Sequence, residues 1–286
     1  GEGKYDGVFG IWYGKGPGVD RTGDVFRHAN LAGTANKGGV LALMGDDHGG
    51  ESSTVCHQSE YAMMDVMIPV LNPANLEEMV DFGLHGWALS RFASVWCGIK
   101  CVKDNIESTA SVTLTPDSFH SHLPNDFEMP MGGLNIRRAD HRHDQEQRLH
   151  AHKMRAVNAY VRANKLDRVT VSGGQTPRFG IVSTGKAYMD VVQALADLGI
   201  DARAAEKLGL SVYKIGMSWP VEPEGLKAFA SGLTDILVVE EKRGLLESQV
   251  KEILYNTAQP PSVFGKRDLE GARLLTEEGS ITSMEV

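Results

Sequence analysis

The stretch GGVLALMGDDHGGESSTVCHQSE, residues 38–60, decides the fold class. Residues 40–44 are an apolar run with the length and composition of a buried strand. A polar, glycine-rich loop follows directly at residues 45–53, and residues 53–64 have the pattern of a helix. Strand, loop and helix in this order build parallel sheets that helices cover on both faces.

The same alternation continues on both sides of this stretch. In the first half we predict strands at residues 6–13, 40–44, 66–71 and 95–102. Helices are predicted between them at residues 22–35, at 53–64 and after Asn75, whose side chain can cap a helix. In the second half we predict strands at residues 179–183, 212–215 and 236–240 and helices at residues 187–198, 223–230 and 244–255. The sequence therefore predicts an α/β fold with two separate, mainly parallel sheets.

Stretches without periodicity indicate the domain limits. Pro116, Pro124 and Pro130 interrupt a polar region, after which a basic helix is predicted at residues 145–164. We expect a first domain at residues 1–125, a linker with a helix at 126–170, a second domain at 171–259 and a further linker at 260–286.

The composition narrows the function. The formal charge is −8, from 29 basic and 37 acidic side chains, which argues against a nucleic acid or an anionic membrane as partner. No apolar run approaches the ~20 residues of a membrane helix. The 3 cysteines lack the spacing of a disulfide framework, so we expect a reducing, cytoplasmic location. This chain alone cannot supply four cysteines to an iron–sulfur cluster.

Residues 14–21, GKGPGVDR, lie between a predicted strand and a predicted helix. Glycines at such a position let backbone N–H groups face an anion or a flat heterocycle. The spacing is neither that of a P-loop nor Gly-x-Gly-x-x-Gly, so no nucleotide phosphate is implied. A tight turn without a ligand is the alternative.

The loop at residues 45–53 is richer in chemical groups. Asp46, Asp47 and His48 have the oxygen and imidazole groups that ligate a divalent metal ion. Alternatively they cap the following helix and line a pocket for a small polar substrate. We favour the second interpretation, because adjacent carboxylates cap and turn more often than they chelate. We expect the polar groups of this loop to face water.

Two further sets of residues have a metal-like spacing but a simpler explanation. Cys97 and Cys101 are interpreted as free thiols on a buried strand, not as a redox or metal pair. Four histidines belong to a basic stretch that we interpret as a solvated interdomain segment and not as a zinc site. They are His141, His143, His150 and His152.

Three segments resemble one enzyme family. They are YGKGPGVDRTGDVFRHANLAGT at residues 13–34, the stretch at residues 38–60 and GKRDLEGARLL at residues 265–275. These segments are similar to the thiamine-diphosphate subunit of indolepyruvate ferredoxin oxidoreductase, in particular to its large fused bacterial form, within the 2-oxoacid:ferredoxin oxidoreductase superfamily. The resemblance covers essentially the whole chain. It implies the pyrimidine-binding half of a thiamine-diphosphate-binding fold, with a parallel sheet in three layers, and then an α/β domain similar to the transketolase C-terminal domain.

The resemblance also implies roles for the two loops. It implies that the coenzyme is contacted by Lys15, Gly16, Pro17, Gly18, Val19, Asp20 and Arg21. It implies that the substrate is contacted by Asp47, His48, Ser52, Ser53, His57 and Gln58. It places no catalytic residue and no metal ligand within these 286 residues.

The family chemistry implied is oxidative decarboxylation of an aryl 2-oxo acid, indolepyruvate, to an acyl-CoA with ferredoxin as electron acceptor. The complete enzyme would hold thiamine diphosphate and Mg²⁺, with iron–sulfur clusters outside this chain, and we expect none of them bound to the chain alone. The activating glutamate and the Gly-Asp-Gly…Asn module for magnesium diphosphate are not among these residues. We therefore expect an inactive internal fragment of a homo-oligomeric enzyme.

Two other classes of function compete with this one. The first is a free-standing metal-dependent hydrolase that uses Asp46, Asp47, His48 and His57. The second is a non-enzymatic interaction domain. Stoichiometric metal uptake would favour the hydrolase.

Overall fold

The chain divides into two units in the computed structural model, which describes residues 7–113 and 119–286. Unit 1 comprises Gly1–Asp47 and His57–Lys165, and unit 2 comprises His48–Cys56 and Leu166–Val286. The predicted strand start at position 6 and the proline at position 116 lie outside the described residues.

Unit 1 alternates strands and helices. Its strands are β1 (Phe9–Lys15), β2 (Gly39–Asp46), β3 (Val70–Leu71) and β4 (Cys97–Val102). Its helices are α1 (Gly16–Asp20), α2 (Gly23–Ala32), α3 (Glu60–Asp65), α4 (Leu76–Ala93), α5 (Lys103–Ile106), α6 (Arg142–Arg148) and α7 (Met154–Asn164). The four strands are parallel in the order β1-β2-β4-β3. Because Lys15 lies opposite Gly45, the two predicted loops leave the sheet at the same edge.

The core of unit 1 holds the start of the first loop in place. All six residues of β4 are buried, as expected for a strand covered on both faces. One hydrophobic cluster contains Val19, Phe26, Ala42, Met44, Met63, Val66, Ile68 and Val70. Burying a side chain the size of valine contributes roughly 1.5 kcal/mol or more. Val19 therefore anchors α1 on the sheet.

Unit 2 holds a second sheet. The strands among the residues of unit 2 are β5 (Arg168–Val171), β6 (Phe179–Thr184), β7 (Leu210–Ile215), a short β8 (Met217–Trp219) outside this sheet, β9 (Asp235–Val239) and β10 (Ser262–Phe264). Its helices are α8 (Gly185–Asp197), α9 (Ala202–Leu208), α10 (Pro223–Ala230) and α11 (Leu245–Leu254). The sheet order is β10-β9-β6-β7-β5, and the pairs are parallel except that β5 runs antiparallel to β7.

Several predicted elements are confirmed. Helix α10 spans the residues predicted for it. Helix α4 begins after Asn75, whose Oδ1 accepts a hydrogen bond from the Glu78 N–H at 3.0 Å. The predicted strands lie at the positions of β1, β2, β4, β6, β7 and β9, with ends that differ by a few residues.

The helix predicted at residues 53–64 is wrong in its first half, because α3 begins only at Glu60. Thr54 has a positive φ of 62°, which a helix does not allow. The backbone N–H of Ser59 donates to both carboxylate oxygens of Asp46, at 3.1 Å to Oδ1 and 3.0 Å to Oδ2. His48–Cys56 is therefore an irregular loop that packs with unit 2.

The helix predicted at residues 145–164 is divided. A π-helical turn at Leu149–Lys153 lies between α6 and α7. Lys153 in this turn is buried, and its ammonium donates to the Leu31 carbonyl at 3.3 Å. The wider turn places this long polar side chain inward, where a regular apolar stripe would not predict it.

Residues 260–286 differ from the expected linker. They contribute β10 to the second sheet and bury Leu275 and Ile281. Lys266 is also buried and donates to the carbonyls of Glu240 and Thr276. The stretch lacks periodicity because single buried side chains, not a regular face, hold it on unit 2.

Within the described residues, no helix has both the length and the apolar character needed to cross a membrane.

Candidate functional site

The first candidate loop is mostly backbone and exposed polar side chains. Strand β1 ends at Lys15, and α1 begins at the next residue with Pro17 in its first turn, where the missing N–H has no cost. Gly16 and Val19 are buried, Pro17 and Gly18 are partly exposed, and Lys15, Asp20 and Arg21 are exposed. The buried residues thus attach this loop to the core of unit 1, and its exposed surface is polar.

His57 joins the second candidate loop to the first within unit 1. A Cβ at position 16 would lie 2.1 Å from Cγ of the His57 ring, so only glycine allows this contact. The ring Nε2 of His57 lies 3.4 Å from Oδ2 of Asp20. The backbone N–H of His57 donates to the Asp47 carbonyl at 3.0 Å. Unit 1 therefore brings Gly16, Asp20, Asp47 and His57 together.

Asp46 is part of the structure of this loop. It is buried and accepts hydrogen bonds from the backbone N–H and the hydroxyl of Ser59. Lys100 on β4 lies 3.9 Å from Asp46 and 2.9 Å from Glu60. The Asp46 carboxylate therefore holds the residue directly before α3. The expectation that the loop's polar groups face water is wrong for Asp46, Asp47 and His48, which are 3%, 8% and 4% exposed.

Sequence reasoning missed the Lys100–Glu60 pair. A lysine within the otherwise apolar run of β4 was the available signal, because a buried ammonium requires a carboxylate partner. The identity of that partner depends on the tertiary fold.

A second cluster lies in unit 2, around His48. The Nδ1 atom of His48 lies in contact with Oε2 of Glu241, two residues after the end of β9. Oε1 of Glu241 lies 3.5 Å from the ammonium of Lys186, and Lys186 lies 2.9 Å from Asp190. Lys242 donates to the backbone carbonyl of His48 at 3.2 Å. Buried polar and charged contacts thus hold this loop within unit 2.

The remaining predicted substrate residues differ in exposure. Ser53 is buried, Gln58 is partly exposed and Ser52 is exposed. The six predicted residues therefore fall into two groups: Asp47, His57 and Gln58 in unit 1, and His48, Ser52 and Ser53 in unit 2.

No group of three His, Cys, Asp or Glu side chains in residues 7–113 and 119–286 is arranged to hold a metal ion. Asp46, the first carboxylate of the proposed hydrolase site, is already hydrogen-bonded by Ser59. Since no such group is present among the described residues, they do not fit the magnesium end of thiamine diphosphate.

The cysteines are free thiols, as the sequence predicted. Burial raises the pKa of Cys101 to about 11 and also raises the pKa of Cys97. Because both thiols are protonated at neutral pH, they are poor nucleophiles and metal ligands. Of the four histidines, His141 caps α6, with its Nδ1 atom 3.4 Å from the backbone N–H of His143.

The fold matches that of two solved structures. A 2-oxoglutarate:ferredoxin oxidoreductase from Magnetococcus marinus superposes with a TM-score of 0.57 at 14% identity, covering 92% of this chain and 50% of that one. A split-gene transketolase, in an inactive β4 tetramer, gives a TM-score of 0.52 at 16% identity, covering 97% of this chain and 72% of that one. The expected fold class, a thiamine-diphosphate-binding type of α/β fold with a transketolase-like second domain, is confirmed.

The sequence comparisons agree on one family. Residues 169–286 match the model of the indolepyruvate oxidoreductase domain. Indolepyruvate oxidoreductase subunit IorA of Methanothermobacter thermautotrophicus is 25% identical over 268 residues, 92% of this chain and 40% of the relative. The Pyrococcus abyssi subunit is 32% identical over 96 residues, 34% of this chain and 14% of the relative. The resemblance to the indolepyruvate oxidoreductase family is therefore confirmed, and the chain spans at most about 40% of these relatives' length.

Proposed function

We propose that this chain is part of a thiamine-diphosphate-dependent oxidoreductase that converts an aryl 2-oxo acid, indolepyruvate, to an acyl-CoA and passes electrons to ferredoxin. The main support is the match of residues 169–286 to the indolepyruvate oxidoreductase domain. Similarity to the IorA subunit over 92% of the chain adds support from the other half. In such enzymes the coenzyme supplies the electron sink for decarboxylation.

Within this function, the loop at residues 15–21 contacts the pyrimidine end of the coenzyme. Its support is the anchoring of Val19 in the core, which holds the loop in one position, while Asp20 and Arg21 stay exposed. A positioned polar surface orients a bound group without forming bonds to it.

The substrate contacts are proposed at Asp47, His48, Ser52, Ser53, His57 and Gln58. His57 has the strongest support in unit 1, because its imidazole touches Gly16 and lies 3.4 Å from Asp20. A histidine held next to the coenzyme loop suits an anionic 2-oxo acid, since imidazole donates hydrogen bonds to carboxylate oxygens.

The remaining partners belong to the whole protein. We propose that it uses coenzyme A and ferredoxin, holds Mg²⁺ with its coenzyme, has its iron–sulfur clusters outside these residues, and assembles as a homo-oligomer in the cytoplasm.

A matched pair of histidine variants tests the site in the full-length protein that contains this chain. His57→Ala should lower kcat/KM for indolepyruvate by about tenfold or more, because it removes a contact beside the coenzyme loop. His28→Ala is the control, since His28 is an exposed residue of α2 that pairs only weakly with Asp24, at 3.6 Å. Equal activity of the two variants with unchanged melting temperatures would remove His57 from the site.

A further inference from the structure

We propose that Glu241 is a positioning residue for His48: it holds the imidazole with the proton on Nδ1, so that His48 contacts substrate through Nε2. The inference rests on the proposed function in one respect, the role of His48 in substrate binding. Glu241 lies far from His48 in sequence and is assigned no role by the family resemblance.

The contact between the two side chains is buried. The side chains of His48 and Glu241 are 3% and 6% exposed, and Nδ1 of the ring pairs with Oε2 of the carboxylate. In a site with so little water a carboxylate interacts strongly with a ring N–H. The tautomer with the proton on Nδ1 places a positively polarised N–H against the carboxylate, whereas the other tautomer would place a lone pair against it.

Glu241 is itself fixed by two other parts of unit 2. Its Oε1 atom accepts a hydrogen bond from the Ile281 N–H at 3.3 Å. The same oxygen lies 3.5 Å from the ammonium of Lys186, at the start of α8. The Lys186 ammonium also donates to the Ile281 carbonyl. Lys186 and Ile281 hold Oε1 of the Glu241 carboxylate in place, so its second oxygen, Oε2, faces His48 in a fixed direction.

The backbone of His48 is held by Lys242, the residue that follows Glu241. Lys242 donates to the His48 carbonyl at 3.2 Å. Successive residues after β9 therefore fix both the ring and the main chain of His48. A histidine held in this way makes its substrate contact at Nε2, in the manner of metal-bound histidines whose second nitrogen is hydrogen-bonded to a carboxylate.

The neighbouring carboxylate supplies a matched control. Glu240 is also buried, and it accepts hydrogen bonds from the backbone N–H groups of Leu246 and Glu247 at 2.7 and 2.8 Å. Its contacts cap the start of α11. Glu240→Gln therefore tests what loss of a buried carboxylate in this turn does to stability, without removing the partner of His48.

The direct test is the tautomer of His48, read by long-range ¹H–¹⁵N correlation on the ¹⁵N-histidine-labelled chain at about pH 8, where most histidines are neutral. We expect the Nδ1–H tautomer in the wild-type protein. In Glu241→Gln the amide both donates and accepts, so we expect the two tautomers to approach equal populations, while Glu240→Gln keeps the wild-type tautomer and lowers the melting temperature. A wild-type Nε2–H tautomer would overturn the proposal without any variant. An unchanged tautomer in Glu241→Gln would also overturn it.

A kinetic test in the full-length enzyme separates this inference from the proposed function. Glu241→Gln should raise KM for the 2-oxo acid by about tenfold with a smaller effect on kcat, and Glu240→Gln should stay within about twofold of wild type. If the wild-type enzyme turns over no 2-oxo acid but shows the expected tautomer, the function fails and the positioning role stands. If turnover is normal and the tautomer is not the expected one, the positioning role fails alone.

Discussion

The imidazole of His57 occupies the space beside the α-carbon of Gly16, where a Cβ would lie only 2.1 Å from the ring. The two residues come from different loops that follow adjacent parallel strands, β1 and β2. The contact therefore depends on the absence of a side chain at position 16 and on the register of the two strands. It ties the proposed coenzyme loop to a proposed substrate residue.

Gly16→Ala should displace the His57 ring. Overpacking of this kind costs about 1–3 kcal/mol of folding free energy, and the displaced ring should lower turnover of the full-length protein by about tenfold. Gly23→Ala is the control, because nothing lies within 4 Å of a Cβ at that position at the start of α2. Urea unfolding and steady-state kinetics measure both effects, and equal behaviour of the two variants would contradict the contact.

Lys153 predicts a pH dependence of the stability of unit 1. Burial, helped by Arg148 and opposed by Asp140, lowers the pKa of this lysine to about 8 from its ordinary 10.5. The unfolded chain binds more protons than the folded one between these values, so the contribution of Lys153 to stability rises as the pH increases from about 8 to 10.5. Lys153→Met should therefore stabilise unit 1 near neutral pH, and this advantage should shrink by about 2–3 kcal/mol at alkaline pH.

The measurement is urea unfolding of both proteins near neutral and at alkaline pH, followed by tryptophan fluorescence. A constant stability difference between Lys153→Met and wild type at all pH values would show that the lysine is not buried as the structure has it.

Asp167 should make the stability of unit 2 fall as the pH rises, which is the opposite of the effect of Lys153 on unit 1. Burial dominates and raises the pKa of this carboxyl from 3.8 to about 7, against the opposing effect of hydrogen bonds from the N–H groups of Met217 and Gly216. The unfolded chain loses this proton first, so the contribution of Asp167 to stability is lost as the pH rises from about 4 to about 7. Asp167→Asn keeps the acceptor oxygen for the two N–H groups and removes the titration.

We therefore expect Asp167→Asn to melt at a higher temperature than wild type at about pH 8 and at a similar temperature at about pH 5. Melting curves at the two pH values, with Trp219 as the reporter within unit 2, provide the test. A variant that loses stability equally at both pH values would contradict the assignment.

Lys100 should be required for the stability of unit 1. Removing it in Lys100→Met leaves two buried carboxylates, Asp46 and Glu60, without their shared cation, which costs about 3–5 kcal/mol. The double variant Lys100→Met/Glu60→Gln should recover part of this loss, since it removes one buried charge. Lys37→Met, at an exposed position, should change the free energy of unfolding by less than about 0.5 kcal/mol. A similar loss in Lys37→Met and Lys100→Met would refute the prediction.

Much of the fold follows from local pattern. Strands such as β2 and β4 have continuous apolar runs, and α4 and α10 have recognisable first turns, so these elements could be predicted. The short strands β5, β8 and β10 could not, because three or four residues carry too little pattern.

The candidate site was predictable only where topology decides it. Parallel strands place the loops after β1 and β2 at one edge, which brings His57 to Gly16. The partners of His48 were not predictable, because 194 residues separate it from Lys242 in sequence. The role of Asp46 was open although its partner Ser59 is only 13 residues away, because the irregular loop between them has no pattern that predicts the hydrogen bond.

The central claim is that the protein containing this chain oxidises an aryl 2-oxo acid. Its most direct test is ferredoxin reduction by the purified full-length protein with thiamine diphosphate, Mg²⁺ and coenzyme A, with indolepyruvate compared with 2-oxoglutarate as substrate. We predict reduction that requires coenzyme A, with kcat/KM for indolepyruvate at least about tenfold higher than for 2-oxoglutarate. Absence of indolepyruvate-dependent reduction, or a preference for 2-oxoglutarate, would contradict the account.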